Sequence, residues 1–261
     1  MGAVRGAAAA TAAQALAGLA LGTVEARRRW GGWWPRARTA AAGRLRAELL
    51  RFLAWTDLGA TLGTVTKQLD VVVLGWVAGP AQAGYYRLAR SLAGLPGYAV
   101  GPLQAAAYPR LARQWAAGDE AGLRRSLSDH ARLGALVSSG VLAGVLVAPW
   151  VLRLLAGAAY DPAGPAARLL LAGSAVWAGF YWLRPLYMAA GRARAWVVIS
   201  AASVAASLVA FPPAAHTAGA TGVAAVQFFV PLGGHLVAAW LVRGVPRVVD
   251  TSAPAVSGVR R

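Results

Sequence analysis

Long apolar runs recur along the chain and are separated by short polar segments. A helix of about 20 apolar residues, rising 1.5 Å per residue, crosses the roughly 30 Å hydrocarbon core of a bilayer. A weaker run, 6–24, consists mostly of Ala, so an interfacial helix and the remnant of a span are both open. The pattern predicts an all-α, polytopic transmembrane helix bundle of six to seven spans. The six clear runs are 52–78, 85–108, 133–155, 166–190, 196–214 and 220–242.

Composition agrees with a membrane protein. Hydrophobic residues make up 58% of the chain and charged residues 13%, about half the charged share of ordinary soluble domains. The net charge of +17 would fit a nucleic-acid partner if the basic residues formed one polar face. They occur instead in bursts between apolar runs, so we expect them to set membrane topology, and we expect no nucleic-acid partner.

Arginine distribution predicts the orientation of the bundle. Short loops rich in Lys and Arg stay on the cytoplasmic side. Segments 25–51 and 109–132 and the C-terminal tail are basic, whereas alternate loops contain no Lys or Arg; these are 79–84, 156–165 and 212–219. We therefore expect those three loops outside and the C-terminus inside, in a multi-pass protein of the bacterial cytoplasmic (inner) membrane.

These predictions divide the chain into three parts. Residues 1–51 hold the marginal first span and a basic cytoplasmic linker, 52–242 form a six-helix transmembrane bundle, and 243–261 are a basic cytoplasmic tail.

Within the bundle, Pro96 and Pro102 lie in the run 85–108. Proline removes a backbone donor and bends or breaks a helix, and broken helices in membranes border protein or water. The run 85–108 is therefore a candidate pathway helix.

Four charged residues lie deep in the first two of these spans. Lys67 and Asp70 are one helical turn apart, and Arg90 on the next span reaches nearly the depth of Asp70, with Arg87 one turn above. Charge at mid-bilayer costs about 2.5 to 3.5 kcal/mol on insertion scales, so it needs a partner, water or a function. Two interpretations are open: a self-neutralising structural cluster, or a cation-rich, water-accessible cavity that binds an anionic substrate group.

A second candidate site lies on the run 166–190. Trp177 and Tyr181 precede Arg184 by seven and four residues, which places all three on one face of a continuous helix. An aromatic and guanidinium face could stack on sugars or hold a phosphate. The alternative is core packing with the guanidinium reaching towards water.

Catalytic and cofactor signals are missing from the sequence. Cysteine is absent, the three histidines are scattered, and no Gly-rich phosphate loop with Lys-Ser/Thr occurs. Paired carboxylates are missing too, because Asp57 and Asp70 are thirteen residues apart. We therefore expect no enzyme activity, no metal and no cofactor.

The segment 66–118 carries a recognisable combination of features. Lys67 stands three residues before Asp70, Gly84-Tyr85-Tyr86 ends a short turn, and Tyr108-Pro109 ends the next run. This segment resembles the bacterial oligosaccharide (lipid-linked glycan) flippases of the multidrug/oligosaccharidyl-lipid/polysaccharide exporter (MOP) superfamily. The similarity is diffuse from there to about residue 242.

The resemblance implies a transporter that moves a polyprenyl-diphosphate-linked oligosaccharide to the outer leaflet by alternating access. It implies coupling to H⁺ or Na⁺, and contact with membrane lipid and a glycan polymerase. Such proteins usually have two bundles, and this chain resembles the second, C-terminal one. We therefore expect a second half-transporter chain or a homodimer if the chain is complete; a fragment and a split half are also open.

Two other functions compete with the flippase hypothesis. A cation-coupled drug exporter of the same superfamily should have more acidic residues in its cavity than Asp70. A non-transporting membrane scaffold subunit of a polysaccharide assembly complex would need no cavity.

Overall fold

The structure of the protein, a computed structural model, describes Val24, Arg28 and residues 68–242. The chain divides into two compact units, 1–50 and 51–261, and residues 68–242 belong to the second. This described stretch is helical and has no β-strand, so the predicted all-α membrane bundle is confirmed. Its helices are α1 (Gln68–Val77), α2 (Pro80–Ala116), α3 (Glu120–Ala156), a 3₁₀-helix (Ala158–Ala163), α4 (Gly164–Gly179), α5 (Leu183–Ala189) and α6 (Ala193–Val242).

Three stretches of this bundle are long and apolar enough to cross a membrane: α3, the stretch Ala158–Ala189, and α6. The predicted span 133–155 falls within the first, and 166–190 falls within the second except for its last residue. The predicted span 85–108 falls within α2, which does not belong to this set. Of the predicted span 52–78, the described part is α1 and the turn that follows it, and the marginal run 6–24 lies outside the described residues except for Val24.

Tight turns join the first three helices. Gly79 has φ 89°, a left-handed conformation that favours glycine, and Pro80 supplies the fixed φ suited to a first helical turn. Gly118 (φ 64°) ends α2 in the same region of φ. The Asp119 side chain then accepts a hydrogen bond of 2.8 Å from the Gly122 N–H and caps α3. The predicted loops 79–84 and 109–132 are therefore reduced to residues 78–79 and 117–119.

The helix α2 continues through three prolines, Pro96, Pro102 and Pro109. Of the two effects expected of the prolines in the run 85–108, a bend or a break, the break does not occur, because the helix is continuous there. Each proline removes one backbone donor, but the residues on either side of it remain helical, and no cis peptide bond occurs in the described chain.

A helix break occurs instead in the predicted span 166–190. The chain leaves α4 at Phe180 and re-enters a helix at Leu183, so residues 180–182 form a turn. The freed carbonyl of Tyr181 accepts a hydrogen bond of 3.3 Å from the Gln104 side chain of α2. A non-helical turn at membrane depth needs such partners, because lipid offers none.

The last segment, α6, is a helical hairpin. Ala218 and Gly219 leave helical geometry, with Gly219 at φ 54°, and divide α6 into a first arm (193–217) and a second arm (220–242). A side chain at Gly222 would collide with the Ala214 carbonyl, and one at Gly234 would lie 2.7 Å from the Ser203 hydroxyl. The arms therefore run antiparallel in close contact. They match the predicted spans 196–214 and 220–242, but the loop 212–219 is helical up to residue 217.

Two buried apolar clusters hold the described bundle together. One includes Leu74 of α1, Tyr86 of α2 and Phe211 and Val223 of the α6 arms. The other lies towards the α2–α3 turn and includes Leu111, Leu123, Leu183 and Leu186. Between these two clusters, the helices α2, α4 and the second arm of α6 line a cavity that contains polar side chains.

Candidate functional site

The carboxylate of Asp70 is buried at 1% exposure, and both its oxygens accept hydrogen bonds. Tyr86 donates its hydroxyl at 2.7 Å, Arg90 Nη1 lies 2.7 and 2.9 Å from the two oxygens, and Gln227 Nε2 donates at 2.9 Å. The backbone N–H of Val71 adds a bond of 2.7 Å. We call Asp70, Tyr86, Arg90 and Gln227 the carboxylate cluster.

The helix register of α2 explains how this cluster forms. Tyr86 and Arg90 are four residues apart and therefore lie on one face. Gln82, one turn earlier on the same face, accepts the N–H of Ala220 at 2.9 Å and so satisfies a free donor at the start of the second arm of α6. Gln227 lies two helical turns further along that arm. One face of α2 is thus fixed to α1 and to the second arm.

The carboxylate cluster borders a cavity of about 410 Å³, which we call the central cavity. It extends between α2, α4 and the second arm of α6, and its walls combine aromatic, small and polar residues. The Arg90 side chain, 28% exposed, is the basic group of the described lining, and Asp70 is its acid. The described residues of the lining are Asp70, Tyr86, Arg90, Ala93, Gly94, Gly97, Leu170, Gly173, Ser174, Val176, Trp177, Gln227, Phe228, Pro231, Leu232 and His235.

A smaller cavity of about 190 Å³ lies between the two arms of α6 and includes Trp196, Ser203 and Ser207. It shares Gln227, Pro231 and His235 with the central cavity. His235 donates Nδ1–H to the Pro231 carbonyl at 2.7 Å, and the rings of Phe180 and Trp196 pack near it at centroid distances of 5.9 and 6.2 Å. The imidazole is therefore held in place where the two cavities meet.

The predicted site residues separate into two groups. Asp70, Arg90 and Trp177 line the central cavity together, and the contact predicted between Asp70 and Arg90 is present. Arg87 is exposed on α2 and does not line that cavity. Lys67 lies outside the described residues.

The predicted face of Trp177, Tyr181 and Arg184 does not exist as one helix face. The turn at residues 180–182 interrupts the register on which it depended, because positions four and seven residues apart align only within a continuous helix. Trp177 faces the central cavity, Tyr181 is buried at 1% exposure, and Arg184 is half-buried on α5 outside the cavity lining.

Tyr181 belongs to a second polar group near the α2–α3 turn. Its hydroxyl lies 2.7 Å from Nδ1 of His130, and one turn away on α3 Ser126 accepts a hydrogen bond of 2.8 Å from Gln114. We call Gln114, Ser126, His130 and Tyr181 the imidazole cluster. Buried atoms without a hydrogen-bond partner occur here, at Nε2 of His130 and Oε1 of Gln114, and on the neighbouring Trp182 indole.

Comparison with known proteins gives one match. Residues 1–115 match the family model described as polysaccharide biosynthesis protein. No curated protein and no solved structure matches the chain. The match supports a membrane protein with a transporter-like role in polysaccharide synthesis. It covers Asp70, Tyr86 and Arg90, and it ends before α4 and α6 supply the other walls of the cavity.

Sequence reasoning missed three polar residues of the cavity, Ser174, Gln227 and His235. None carries a charge signal, and Gln227 is 157 positions from its partner Asp70. Tyr86 had a signal, because it ends the Gly84-Tyr85-Tyr86 feature in the segment 66–118. Within the described chain, no three His, Asp or Glu side chains are grouped as metal ligands would be.

Proposed function

We propose that this chain takes part in translocating a polyprenyl-diphosphate-linked oligosaccharide across the bacterial cytoplasmic membrane for polysaccharide biosynthesis. The observation that carries the proposal is the central cavity: a space of about 410 Å³ inside an apolar helix bundle, bordered by the ion pair of Asp70 and Arg90. The match of residues 1–115 to polysaccharide biosynthesis proteins supplies the biological context.

The physical argument concerns the head group of such a lipid. Its sugars and diphosphate cannot enter hydrocarbon without losing their hydrogen bonds to water, at a cost of several kcal/mol for each unsatisfied group. The polyprenyl chain can remain in the lipid while the head group moves through a polar space in the protein. Ionisable residues inside a membrane commonly line such pathways, and Arg90 and Asp70 fit this role.

The competing functions fit the cavity less well. A scaffold subunit needs no cavity bordered by an ion pair. A cation-coupled drug exporter needs a carboxylate that can receive a cation, whereas both oxygens of Asp70 already accept hydrogen bonds from neighbouring side chains. The excess of positive charge proposed for the site from the sequence then depends on Lys67, because Arg87 lies on an exposed surface.

Several parts of this proposal rest on the resemblance alone. These are coupling to H⁺ or Na⁺, association with a glycan polymerase, and a second bundle supplied by another chain or a second copy. The absence of enzyme activity and of cofactors is likewise a prediction. The cytoplasmic position of the C-terminus rests on the arginine distribution.

The proposal is tested by transport of a lipid-linked oligosaccharide in proteoliposomes that contain the full chain with any partner bundle it requires. Trp177→Ala removes a cavity wall without touching the ion pair, and we expect at least a tenfold loss of transport. Arg90→Gln should abolish it. The matched controls are Trp150→Ala, at an indole that is 67% exposed, and Arg87→Gln, at an exposed arginine.

Controls that transport normally would show that the losses belong to the cavity and not to general damage. Membrane abundance and thermal stability in detergent are recorded for all four variants, because Arg90→Gln also leaves Asp70 without its charge partner. Normal transport by both Trp177→Ala and Arg90→Gln would refute the proposal.

A further inference from the structure

Hydrogen bonds within the protein determine which polar groups of the central cavity can still donate and which can still accept. These roles limit what can bind there. The Gln227 amide donates to Asp70, and a carboxylate only accepts, so Oε1 is left as the acceptor. Ser174 gives its hydroxyl hydrogen to the carbonyls of Ala93 (2.6 Å) and Leu170 (3.1 Å), so its oxygen can only accept a further bond. The described lining therefore presents at least two acceptors.

His235 adds a third acceptor. Its Nδ1 must carry the hydrogen, because the partner at 2.7 Å is the Pro231 carbonyl. In the uncharged ring, Nε2 is then a bare acceptor. Arg90 and the indole of Trp177 are among the donor side chains of the same described lining, so the walls offer both kinds of hydrogen-bonding group.

We infer that the central cavity binds the uncharged, hydroxyl-bearing sugar part of the substrate and not its diphosphate. A sugar hydroxyl donates one hydrogen bond and accepts others, so it matches both sets of groups. Phosphate oxygens only accept hydrogen bonds, so a bound phosphate would leave the three acceptors of the cavity without a donor. The flat ring of Trp177 offers the apolar surface that the C–H face of a sugar covers.

Charge supports the same assignment. Among the described residues of the lining, Arg90 is paired with Asp70, so the pair contributes no net charge. A diphosphate carries two or more negative charges. Proteins in general bind such a group at sites with a surplus of cationic side chains or N–H donors. This inference rests on the proposed function, because it assigns one part of the proposed substrate to the cavity.

The experiment measures binding to the purified full chain at pH 8 by saturation-transfer NMR and by phosphorus line broadening. Three probes are compared: a panel of neutral methyl glycosides, inorganic pyrophosphate, and tetraethylammonium. We expect saturable binding of at least one glycoside. Ser174→Ala and His235→Phe should each weaken it about five- to tenfold, the effect of losing one hydrogen bond.

Matched controls exist for both variants. Ser139 also donates to the carbonyl four residues before it but is exposed on α3, and His216 is exposed next to the α6 turn. Ser139→Ala and His216→Phe should bind the glycoside as the wild type does. If His235→Phe fails to fold, Ser174→Ala alone decides, since it removes a single oxygen.

The outcomes separate this inference from the proposed function. Pyrophosphate binding that is lost in Ser174→Ala and His235→Phe would overturn the inference and leave lipid-linked glycan transport intact. Tetraethylammonium as the only ligand would contradict both. Absence of binding by every probe would overturn the inference alone, because transport is measured separately. Glycoside binding by a chain that transports no lipid-linked glycan would refute the proposed function only.

Discussion

The carboxylate cluster and the imidazole cluster lie towards opposite ends of α2 and differ in how completely their polar atoms are paired. Tyr86 and Gln114 are separated by about 40 Å along the helix at 1.5 Å per residue. Both oxygens of Asp70 are occupied by donors from α1, α2 and α6. The imidazole cluster leaves Nε2 of His130 and Oε1 of Gln114 without partners.

This difference indicates where the bundle is held firmly. Disturbing a buried charge whose hydrogen bonds are all made is costly, because removing one partner leaves another buried polar group unpaired. A cluster that already carries unpaired atoms, each costing about 1 to 3 kcal/mol, has less to lose. We therefore expect the carboxylate cluster to fix the positions of three helices and the imidazole cluster to tolerate change.

The largest effect should come from Asp70→Ala. The change leaves the Arg90 guanidinium without its acid inside the bundle, and we expect a loss of about 3 to 5 kcal/mol in the free energy of unfolding. Unfolding is measured by SDS titration in mixed micelles with circular dichroism. The control is Asp161→Ala, an exposed acid 3.9 Å from Arg153, which should cost less than about 1 kcal/mol. Equal losses would remove the distinction between the two pairs.

The next effect tests whether donors to Asp70 act together. Tyr86→Phe and Gln227→Leu each remove one donor, and each should cost about 1 to 2 kcal/mol. Because both bond the same carboxylate oxygen, the double variant should show a coupling of at least about 0.5 kcal/mol. Strictly additive losses would show that α6 is not coupled to α2 through the acid.

A smaller effect is expected from Tyr181→Phe, which removes the hydroxyl that pairs with His130. We expect a loss of about 1 kcal/mol or less, since the cluster already contains unpaired atoms. Tyr98→Phe, at a side chain that is 83% exposed, is the control and should be neutral. A loss as large as that of Asp70→Ala would show that the imidazole cluster is the firmer of the two.

The smallest effect on stability should come from single cysteines that report sidedness. The chain has no natural cysteine, so Ala81→Cys and Ala116→Cys, both at exposed positions at opposite ends of α2, can be labelled singly. The arginine distribution predicts that a membrane-impermeant thiol reagent reaches Ala81→Cys from outside and Ala116→Cys from inside. Labelling of both from one side would contradict the predicted topology.

The fold could be predicted from the sequence where hydropathy alone decides it. The runs 133–155, 196–214 and 220–242 lie within the observed helices because apolar length is a direct requirement of the bilayer. The predicted helix boundaries were less accurate, since helices continue into segments that are not needed to cross the bilayer, such as residues 212–217. The break at 180–182 had no such signal, because it depends on Gln104 of another helix.

The site shows the same division. The contact between Asp70 and Arg90 was predictable because opposite charges inside a membrane need each other. Gln227, Ser174 and His235 were not, because neutral polar residues in apolar helices are common and only the tertiary arrangement brings them together. The shared face of Trp177, Tyr181 and Arg184 was wrong because the spacing assumed an uninterrupted helix, whereas substrate binding by Arg184 stays a prediction.

The hairpin in α6 also bears on how the chain enters the membrane during synthesis. Only Ala218 and Gly219 lie between its arms. The nascent chain therefore has no hydrophilic loop after the first arm that would let this arm enter the bilayer alone. The two arms should therefore leave the translocation machinery as one unit. Gln82 accepts the Ala220 N–H at the turn between the two arms and is translated long before that turn. Its hydrogen-bond acceptor is therefore already in place when the hairpin enters the membrane.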